Sequence, residues 1–238
     1  MEVGVKFFSH NKIVKKDFEF ADFVEVLPVP GNPVGVFGSM KFKYRVHCPH
    51  DAFGFNPSDT KNSSKNEAII KEAIAAADRL KADTIVVHAG FNTPKLKLKN
   101  PKKTAMEFMQ KHFDKRICME NLLPVDKDMV WVAYSPEEIA EFKDLGFGFC
   151  LDFGHAVDTA THLKKDYKEY VNEFVRLKPD YFHLSGTLNG KDRHASIFDT
   201  DADVGFFKQI IKKAGKPVCL ETPLDSERRR KEVEFLKR

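Results

Sequence analysis

The chain has 238 residues, of which 42% are hydrophobic and 31% are charged, and its formal net charge is +4 at pH 7. These proportions exclude an intrinsically disordered chain, and no apolar run reaches the roughly 18 residues that a membrane-spanning helix needs. The positive charge is compatible with a polyanionic partner but is too small to establish one.

Short apolar or β-branched runs alternate with longer amphipathic segments along the chain. The predicted strands are 3–8, 23–29, 44–49, 84–89, 116–121, 148–153, 181–186 and 217–222. The predicted helices are 62–81, 103–114, 136–144, 164–177, 203–214 and 225–237. Strands that alternate with helices indicate parallel βαβ units, so we predict an α/β fold with one (β/α)8 TIM barrel over residues 1–238. Residues 28–43 are rich in Pro and Gly, and we expect a loop there in place of the helix between strands two and three.

Imidazole and carboxylate side chains follow six of the predicted strands. In chain order they are His50, His88, Glu120, Asp152, His155, His183, Asp192, His194 and Glu221. The carboxyl ends of all barrel strands lie on one face, which is where barrel enzymes place their active sites. We therefore expect these nine side chains to converge.

This mixture of donors is typical of zinc, manganese or iron rather than of magnesium or calcium. Nine donors are too many for one tetrahedral ion, so we predict two or three ions with a carboxylate that bridges a pair. Such a cluster lowers the pKa of bound water and holds both the attacking and the leaving oxygens of a phosphodiester. Asp152 and His155, three residues apart, would then bind different ions.

The remaining histidines have simpler interpretations. A single histidine is usually a hydrogen-bonded core or surface residue, and we expect this of His10, His112 and His162. His47 precedes His50 by three residues, so we expect it to point away from the barrel lumen. For the nine donors together this interpretation fails, because several buried carboxylates without a cation would be costly.

The four cysteines test the strand register independently. Each precedes a proposed ligand by two residues, and they are Cys48, Cys118, Cys150 and Cys219. Alternate strand residues face the same side, so we expect all four thiols inside the barrel, one layer below the metals, as small core residues. Four cysteines do not form a disulfide framework in a chain of this size, so we expect a reducing, cytoplasmic location.

The segments HCPHDAFGFN, VVHAG, CMENLLP, CLDFGHA, FHLSG, DRHAS and CLETP together resemble endonuclease IV. That family comprises zinc-dependent apurinic/apyrimidinic endonucleases within the xylose isomerase-like barrels, and the resemblance runs from about residue 44 to residue 223. Sugar isomerases share the Glu, Asp and His at the strand ends, whereas the DRH triplet with His50 and His88 is more specific. The chain departs from the family after this triplet, where the acidic SIFDTDADVG replaces a glycine-rich turn. The family's DNA-gripping loops after strands one and two also have no match.

The resemblance implies a trinuclear zinc centre. His50 and His88 would bind the first ion, and Glu120 would bridge it to the second. The second ion would be completed by Asp152, His183 and Glu221, and the third would be bound by His155, Asp192 and His194. The implied reaction is hydrolysis of the DNA backbone 5′ to an abasic site, by a hydroxide between the first two ions.

Two further residues match the family's DNA-contacting segment. Phe53 occupies the position of a tyrosine that enters the DNA at the lesion, and an aromatic ring there could stack or wedge. Asn56 also matches, either as a DNA contact or as a residue that structures the loop. The implied partner is duplex DNA that contains abasic sites, with no membrane association.

Other functions stay open at this stage. In a metal-dependent sugar or sugar-phosphate isomerase or epimerase, Glu120 and Glu221 would be the catalytic pair that moves a proton between adjacent carbons of a small sugar. That mechanism has no use for His50, His88 and the DRH triplet. A metal-binding scaffold without a substrate is the third possibility. We predict the phosphodiesterase, with Glu120 and Glu221 central to its catalysis.

Overall fold

Eight parallel strands close into a barrel in the computed structural model, which describes residues 1–32, 34–126 and 128–238. They are β1 (Val3–Phe8), β2 (Phe23–Leu27), β3 (Tyr44–His47), β4 (Ile85–Val87), β5 (Ile117–Glu120), β6 (Gly148–Asp152), β7 (Tyr181–Leu184) and β8 (Val218–Leu220). Each pairs in parallel with its neighbours in chain order, and β8 pairs with β1. The predicted TIM barrel is confirmed.

The helices cover the outside of most of this barrel. They are α1 (Ser63–Leu80), α2 (Pro101–Lys111), α3 (Pro136–Asp144), α4 (Phe153–Leu163), α5 (Tyr167–Val175), α6 (Val204–Ala214) and α7 (Ser226–Lys237). Acceptor side chains fix several of their starts, because the first backbone N–H groups of a helix lack partners within it. Ser135 accepts from the backbone N–H of Glu138, and Asp203 accepts from that of Phe206.

The wall between β1 and β3 is covered differently. The loop predicted over residues 28–43 is confirmed in its described part, where Gly35–Ser39 forms a 3-10 turn, while Pro33 lies outside the described residues. The connection from β1 to β2 also holds only a 3-10 turn, Lys15–Asp17. Aromatic rings pack over this wall instead of helices, with the Phe18 and Phe42 ring centroids 5.1 Å apart.

The helix predicted at residues 164–177 is confirmed as α5, whereas helix α4, which precedes it, was not predicted. In the structure α4 follows Asp152 at once, and α5 comes after it. Residues 153–160 are all buried, so this segment lacks the polar stripe by which an amphipathic helix is recognised. Asp152 ends β6 and caps α4, accepting a hydrogen bond from the His155 backbone N–H at 2.7 Å.

Two small antiparallel sheets extend from the carboxyl ends of the barrel strands. One joins Phe91–Asn92, Met129–Trp131 and Val125–Asp126, and the other is the hairpin of Gly186–Leu188 with Lys191–Ala195. Neither sheet was predicted from the sequence. Within the described ranges, no helix is both long and apolar enough to cross a bilayer.

The floor of the barrel interior, at the amino ends of the strands, is an apolar layer. It consists of Phe23, Val86, Cys118, Cys150, Tyr181 and Cys219. Three of the four cysteines therefore face the lumen as expected. The expectation for Cys48 is wrong, because its side chain joins the main hydrophobic core with Tyr44 and Val46. All four cysteines are buried free thiols.

Candidate metal centre

A cleft of about 580 Å³ opens at the carboxyl end of the barrel. Seven of the nine predicted ligands line it, and they are His50, His88, Glu120, His155, Asp192, His194 and Glu221. The other two, Asp152 and His183, are fully buried. His183 Nδ1 lies 2.8 Å from Glu221 Oε1 and 4.0 Å from Asp152 Oδ2, so both buried residues adjoin the cleft. The structure thus brings all nine side chains together.

Glu120 occupies the centre of the cluster, at the end of β5. Its Oε2 lies 2.9 Å from His88 Nε2 and 3.1 Å from His47 Nε2. Its Oε1 lies 3.0 Å from His183 Nδ1 and 3.6 Å from His155 Nδ1. The two oxygens of one carboxylate therefore face two separate groups of imidazoles, which is the arrangement that a bridging ligand requires.

The donors around His183 form the most buried group. His183 Nδ1 faces Glu120 and Glu221, while His183 Nε2 lies 3.0 Å from Glu25 Oε2. Among the described residues, the buried Asp152 Oδ2 has no hydrogen-bond partner. Carboxylate oxygens turned toward a buried imidazole, one of them unpartnered, fit a divalent cation, because an unpaired buried charge is costly.

The third group lies nearer the surface. Asp192 Oδ2 is 3.3 Å from His194 Nε2 and 3.7 Å from His155 Nε2. The hairpin after β7 holds Asp192 in place, where Ser185 Oγ donates to Asp192 Oδ1 at 2.9 Å. His194 has a positive φ of 46°, and its side chain is 51% exposed. One carboxylate oxygen of Asp192 thus faces an imidazole nitrogen of each histidine at the more exposed side of the cleft.

His50 lies at the rim of the cleft rather than in the lumen. Its Nδ1 is 2.8 Å from Asp51 Oδ1, its side chain is 23% exposed, and its ring stacks near His88 at a centroid distance of 5.3 Å. The Phe53 ring lies 5.8 Å from the His50 ring and stays partly exposed beside the cleft. An aromatic face is thus available next to the ligands.

Asn56 is packed inside the loop in this structure rather than exposed at the cleft. Its side chain is buried, and its Oδ1 accepts from the backbone N–H groups of Phe91 and Ser58. Its Nδ2 donates to the Phe91 carbonyl at 3.0 Å. Gly90 allows this contact, because a Cβ there would lie 2.5 Å from Asn56 Oδ1.

His47 does not point away from the lumen, and that expectation is wrong. Strand β3 ends at His47, whose ring is 1% exposed and stacks against His183 with centroids 5.7 Å apart. The error came from extending the strand register through Pro49 to His50. In the structure Arg45 and His47 face the interior, and Tyr44, Val46 and Cys48 face the main core.

Two charged residues of the cluster were missed altogether. Lys6 Nζ on β1 lies 2.7 Å from Glu221 Oε1 and 3.8 Å from Glu25 Oε1 on β2. Glu25 is fully buried, and Lys6 lines the cleft. A signal was present in the sequence, since each is the one charged residue within an apolar strand, VGVKFF or FVEVL.

The charges of the cluster shift the pKa values of its members strongly. Burial alone would raise the pKa of Glu120, but the neighbouring imidazoles of His183 and His88 hold it well below its usual value. Burial, opposed by His155 and reinforced by Glu120, raises the pKa of Asp152 to about 6. Burial would lower the pKa of His155, yet Asp152 and Glu120 raise it to about 9. Burial lowers the pKa of His88 to about 3. Such opposed shifts are frequent at functional sites.

Comparisons with known proteins agree with this barrel. A family model described as xylose isomerase-like TIM barrel matches residues 38–238. A D-tagatose 3-epimerase-like protein has a TM-score of 0.75 and 19% identity, over 100% of this chain and 96% of its own. Endonuclease IV from Thermus thermophilus has a TM-score of 0.69 and 15% identity, over 100% and 98%.

A further solved structure is a Thermus thermophilus protein soaked with ZnCl2. Its TM-score is 0.67 at 18% identity, over 100% of this chain and 97% of its own. At these identities the likeness concerns the fold alone, and it includes both endonucleases and epimerases. A search among curated proteins finds no match.

Proposed function

The chain belongs to the xylose isomerase-like TIM barrel family, and we propose that it is a metal-dependent phosphodiesterase that cleaves duplex DNA 5′ to abasic sites. One observation carries the proposal. The two oxygens of Glu120 face separate donor groups, with His88 and His47 on one side and His183 on the other. A carboxylate in that position suits a centre with adjacent cations, which is the arrangement used to hold both oxygens of a phosphodiester.

The proposed cofactor is zinc, with manganese or iron as chemically compatible substitutes. The first ion would be held by His50, His88 and Glu120, and the second by Glu120, Asp152, His183 and Glu221. The third would be held by His155, Asp192 and His194. When bound, these cations would supply positive charge against the phosphodiester oxygens and lower the pKa of a coordinated water.

The cleft walls support a phosphate-bearing substrate. Lys6, Lys191 and Arg193 present basic groups along the cleft. Lys191 Nζ is held by Asp158 Oδ1 at 2.7 Å, so its charge is fixed at the cleft edge. Leu122, Leu123 and Trp131 form an apolar side of the same cleft that could receive a sugar without its base. The buried free thiols are consistent with the proposed cytoplasmic location.

Cleavage of a duplex with one tetrahydrofuran abasic analogue tests the proposal. The zinc-loaded protein should cut 5′ to the analogue and leave a 3′ hydroxyl, while an undamaged duplex stays intact. His88→Ala should reduce the rate by more than about 100-fold, because even outer partners of metal ligands are worth 10- to 100-fold. His162→Ala is the matched control, since His162 is exposed at the end of α4. A fully metallated protein that leaves the abasic duplex uncut would refute the phosphodiesterase.

An epimerase or isomerase is the second candidate, and one observation favours it. Glu120 Oε1 lies 3.0 Å and Glu221 Oε1 lies 2.8 Å from the same atom, His183 Nδ1. Two carboxylates that flank one cation position could move a proton between adjacent carbons of a bound sugar. Incubation of ketohexoses in D2O tests this, since epimerisation exchanges one carbon-bound proton for deuterium. Deuterium uptake without DNA cleavage would favour this second candidate.

A further inference from the structure

We infer that His47 binds a divalent cation directly, together with His88 and Glu120. This inference rests on the metal centre of the proposed function, though not on its DNA substrate. It adds a ligand that neither the motif pattern nor the family resemblance assigned. It follows from the position of His47 in the barrel and from the hydrogen bond that its ring makes.

The position follows from a rule that all eight barrel strands obey. Along each strand, counting the residue that directly follows β4 and β8, one residue faces the floor of the lumen and the residue two positions later faces the mouth. The pairs are Gly4 and Lys6, Phe23 and Glu25, Arg45 and His47, Val86 and His88, Cys118 and Glu120, Cys150 and Asp152, Tyr181 and His183, and Cys219 and Glu221. His47, not His50, is therefore the member that β3 contributes to the ring of ionisable side chains. His50 reaches the cleft from the loop that follows.

The hydrogen bond fixes which nitrogen of His47 is free. His47 Nδ1 lies 2.8 Å from the Cys48 carbonyl oxygen. Because a carbonyl oxygen can only accept, Nδ1 must carry a proton. In the neutral ring Nε2 then presents its lone pair, and this atom lies 3.1 Å from Glu120 Oε2. A lone pair directed at a carboxylate oxygen is unfavourable unless a cation lies between them.

His88 supplies the third donor of this group. Its Nε2 faces the same Glu120 oxygen at 2.9 Å, and the donor atoms of His47, His88 and Glu120 lie within 4.8 Å of one another. Two imidazoles and a carboxylate are a common donor set for catalytic zinc. The backbone bond at Nδ1 is the usual device that orients a ligating ring, so His47 has both the position and the support of a ligand.

The competing interpretation is a buried ion pair in which His47 carries two protons and donates to Glu120. An ion pair needs no metal, so metal binding separates the two interpretations. We would remove bound metal with a chelator and titrate Zn2+ against a chromophoric competitor. His47→Gln should weaken one zinc site by more than about 100-fold, beyond the loss expected for an outer partner. His162→Gln, an exposed control, should bind zinc as the wild type does.

A variant that binds every ion with wild-type affinity would overturn the inference. The unfolding curve of the metal-free His47→Gln protein shows whether the fold is intact. If this variant does not fold, a second measurement uses the wild-type protein loaded with Co2+. The hydrogen bond to the Cys48 carbonyl protects the Nδ1 proton of His47 from exchange with water. This proton should therefore give a paramagnetically shifted resonance in H2O. The absence of a shifted resonance for this proton would also reject His47 as a ligand.

These readouts contain no DNA, so they separate the two proposals. If the abasic duplex stays uncut but His47→Gln loses one ion, the substrate is wrong and the ligand assignment stands. If the duplex is cut and His47→Gln keeps all its ions, the phosphodiesterase stands and the ligand assignment falls. His50→Gln in the same titration measures how much the rim histidine contributes.

Discussion

The floor and the mouth of the barrel interior are built from the same eight strands, yet their chemistry is opposite. The floor holds rings and thiols, and Arg45 lies over the Phe23 ring at 4.0 Å while bonding Asp83 and Glu2. The mouth holds acids and imidazoles that approach one another within 2.8–4.0 Å. Two residues along each strand therefore separate the packed floor from the ionisable side chains of the mouth.

The difference shows where this fold gains stability and where it gives stability up. Gly4 has no side chain because Phe23 fills the floor, and a Cβ on Gly4 would clash with that ring. At the mouth, Asp152 Oδ2, Glu25 Oε1 and His88 Nδ1 are buried without hydrogen-bond partners among the described residues. Unpaired buried polar groups lower stability, and barrels concentrate such groups at the carboxyl ends of their strands.

The largest expected effect concerns the mouth without metal. The pKa of His155 is raised to about 9, because Asp152 and Glu120 outweigh its burial. The protonated His155 ring stabilises the fold fully at pH values below about 6.5, the pKa of histidine in an unfolded chain. This stabilisation is lost as the pH rises through about 9. The free energy of unfolding of the metal-free protein, measured with urea, should therefore fall by up to about 3 kcal/mol between these pH values.

His155→Gln isolates this contribution from that of His183, whose pKa is also raised well above its usual value. The variant should show a flatter dependence of stability on pH than the wild type. Cys219→Ala at the floor serves as the control and should keep the wild-type slope. Equal slopes for His155→Gln and wild type would contradict the charged state of His155.

A smaller effect should follow from Glu25→Gln. Glu25 Oε2 lies 3.0 Å from His183 Nε2 and so orients the ring whose Nδ1 faces Glu120 and Glu221. Loss of such a partner costs about 10- to 100-fold in metal affinity. Competition titration with zinc measures this, and the exposed Glu19→Gln is the matched control. Unchanged affinity in Glu25→Gln would show that His183 is held without this carboxylate.

The smallest expected effect belongs to the floor, where Arg45→Met should lower stability by about 2 kcal/mol. The variant loses the bonds to Asp83 and Glu2 and the contact with Phe23, but it disturbs no side chain of the mouth. The melting temperature should fall by about 4–8 °C while zinc affinity stays unchanged. Arg45→Lys keeps the charge, so its melting temperature should lie between those of the wild type and Arg45→Met. A loss of zinc in Arg45→Met would mean that the two layers are coupled.

Much of the fold followed from local pattern. Apolar runs bounded by turn residues marked all eight barrel strands to within a few residues of their observed ends. The amphipathic helices α1, α3, α6 and α7 were likewise recognisable. Helix α4 was not, because burial all around it removes the polar face that carries the helical period. The hairpin after β7 was missed because its strands carry polar ligands instead of an apolar alternation.

The residues of the cluster likewise divide into those that the sequence pattern predicted and those that it did not. Motif residues such as Glu120, Asp152 and His183 could be found because each follows an apolar strand. His47, Lys6 and Glu25 could not be assigned with the same rule. A one-residue error at the end of β3 exchanges the inner and outer faces of a strand, and Pro49 ends the strand register after His47.

By itself the sequence determined the alternation of strands and helices, and with it the single face on which the nine donors meet. Strand periodicity and burial are local properties, so they can be read from a stretch of a few residues. Only the tertiary structure decided that His47 rather than His50 enters the lumen. It also decided that the two oxygens of Glu120 face separate groups of imidazoles. Those facts depend on side-chain directions and distances between strands far apart in the chain, and contacts across a closed barrel set them.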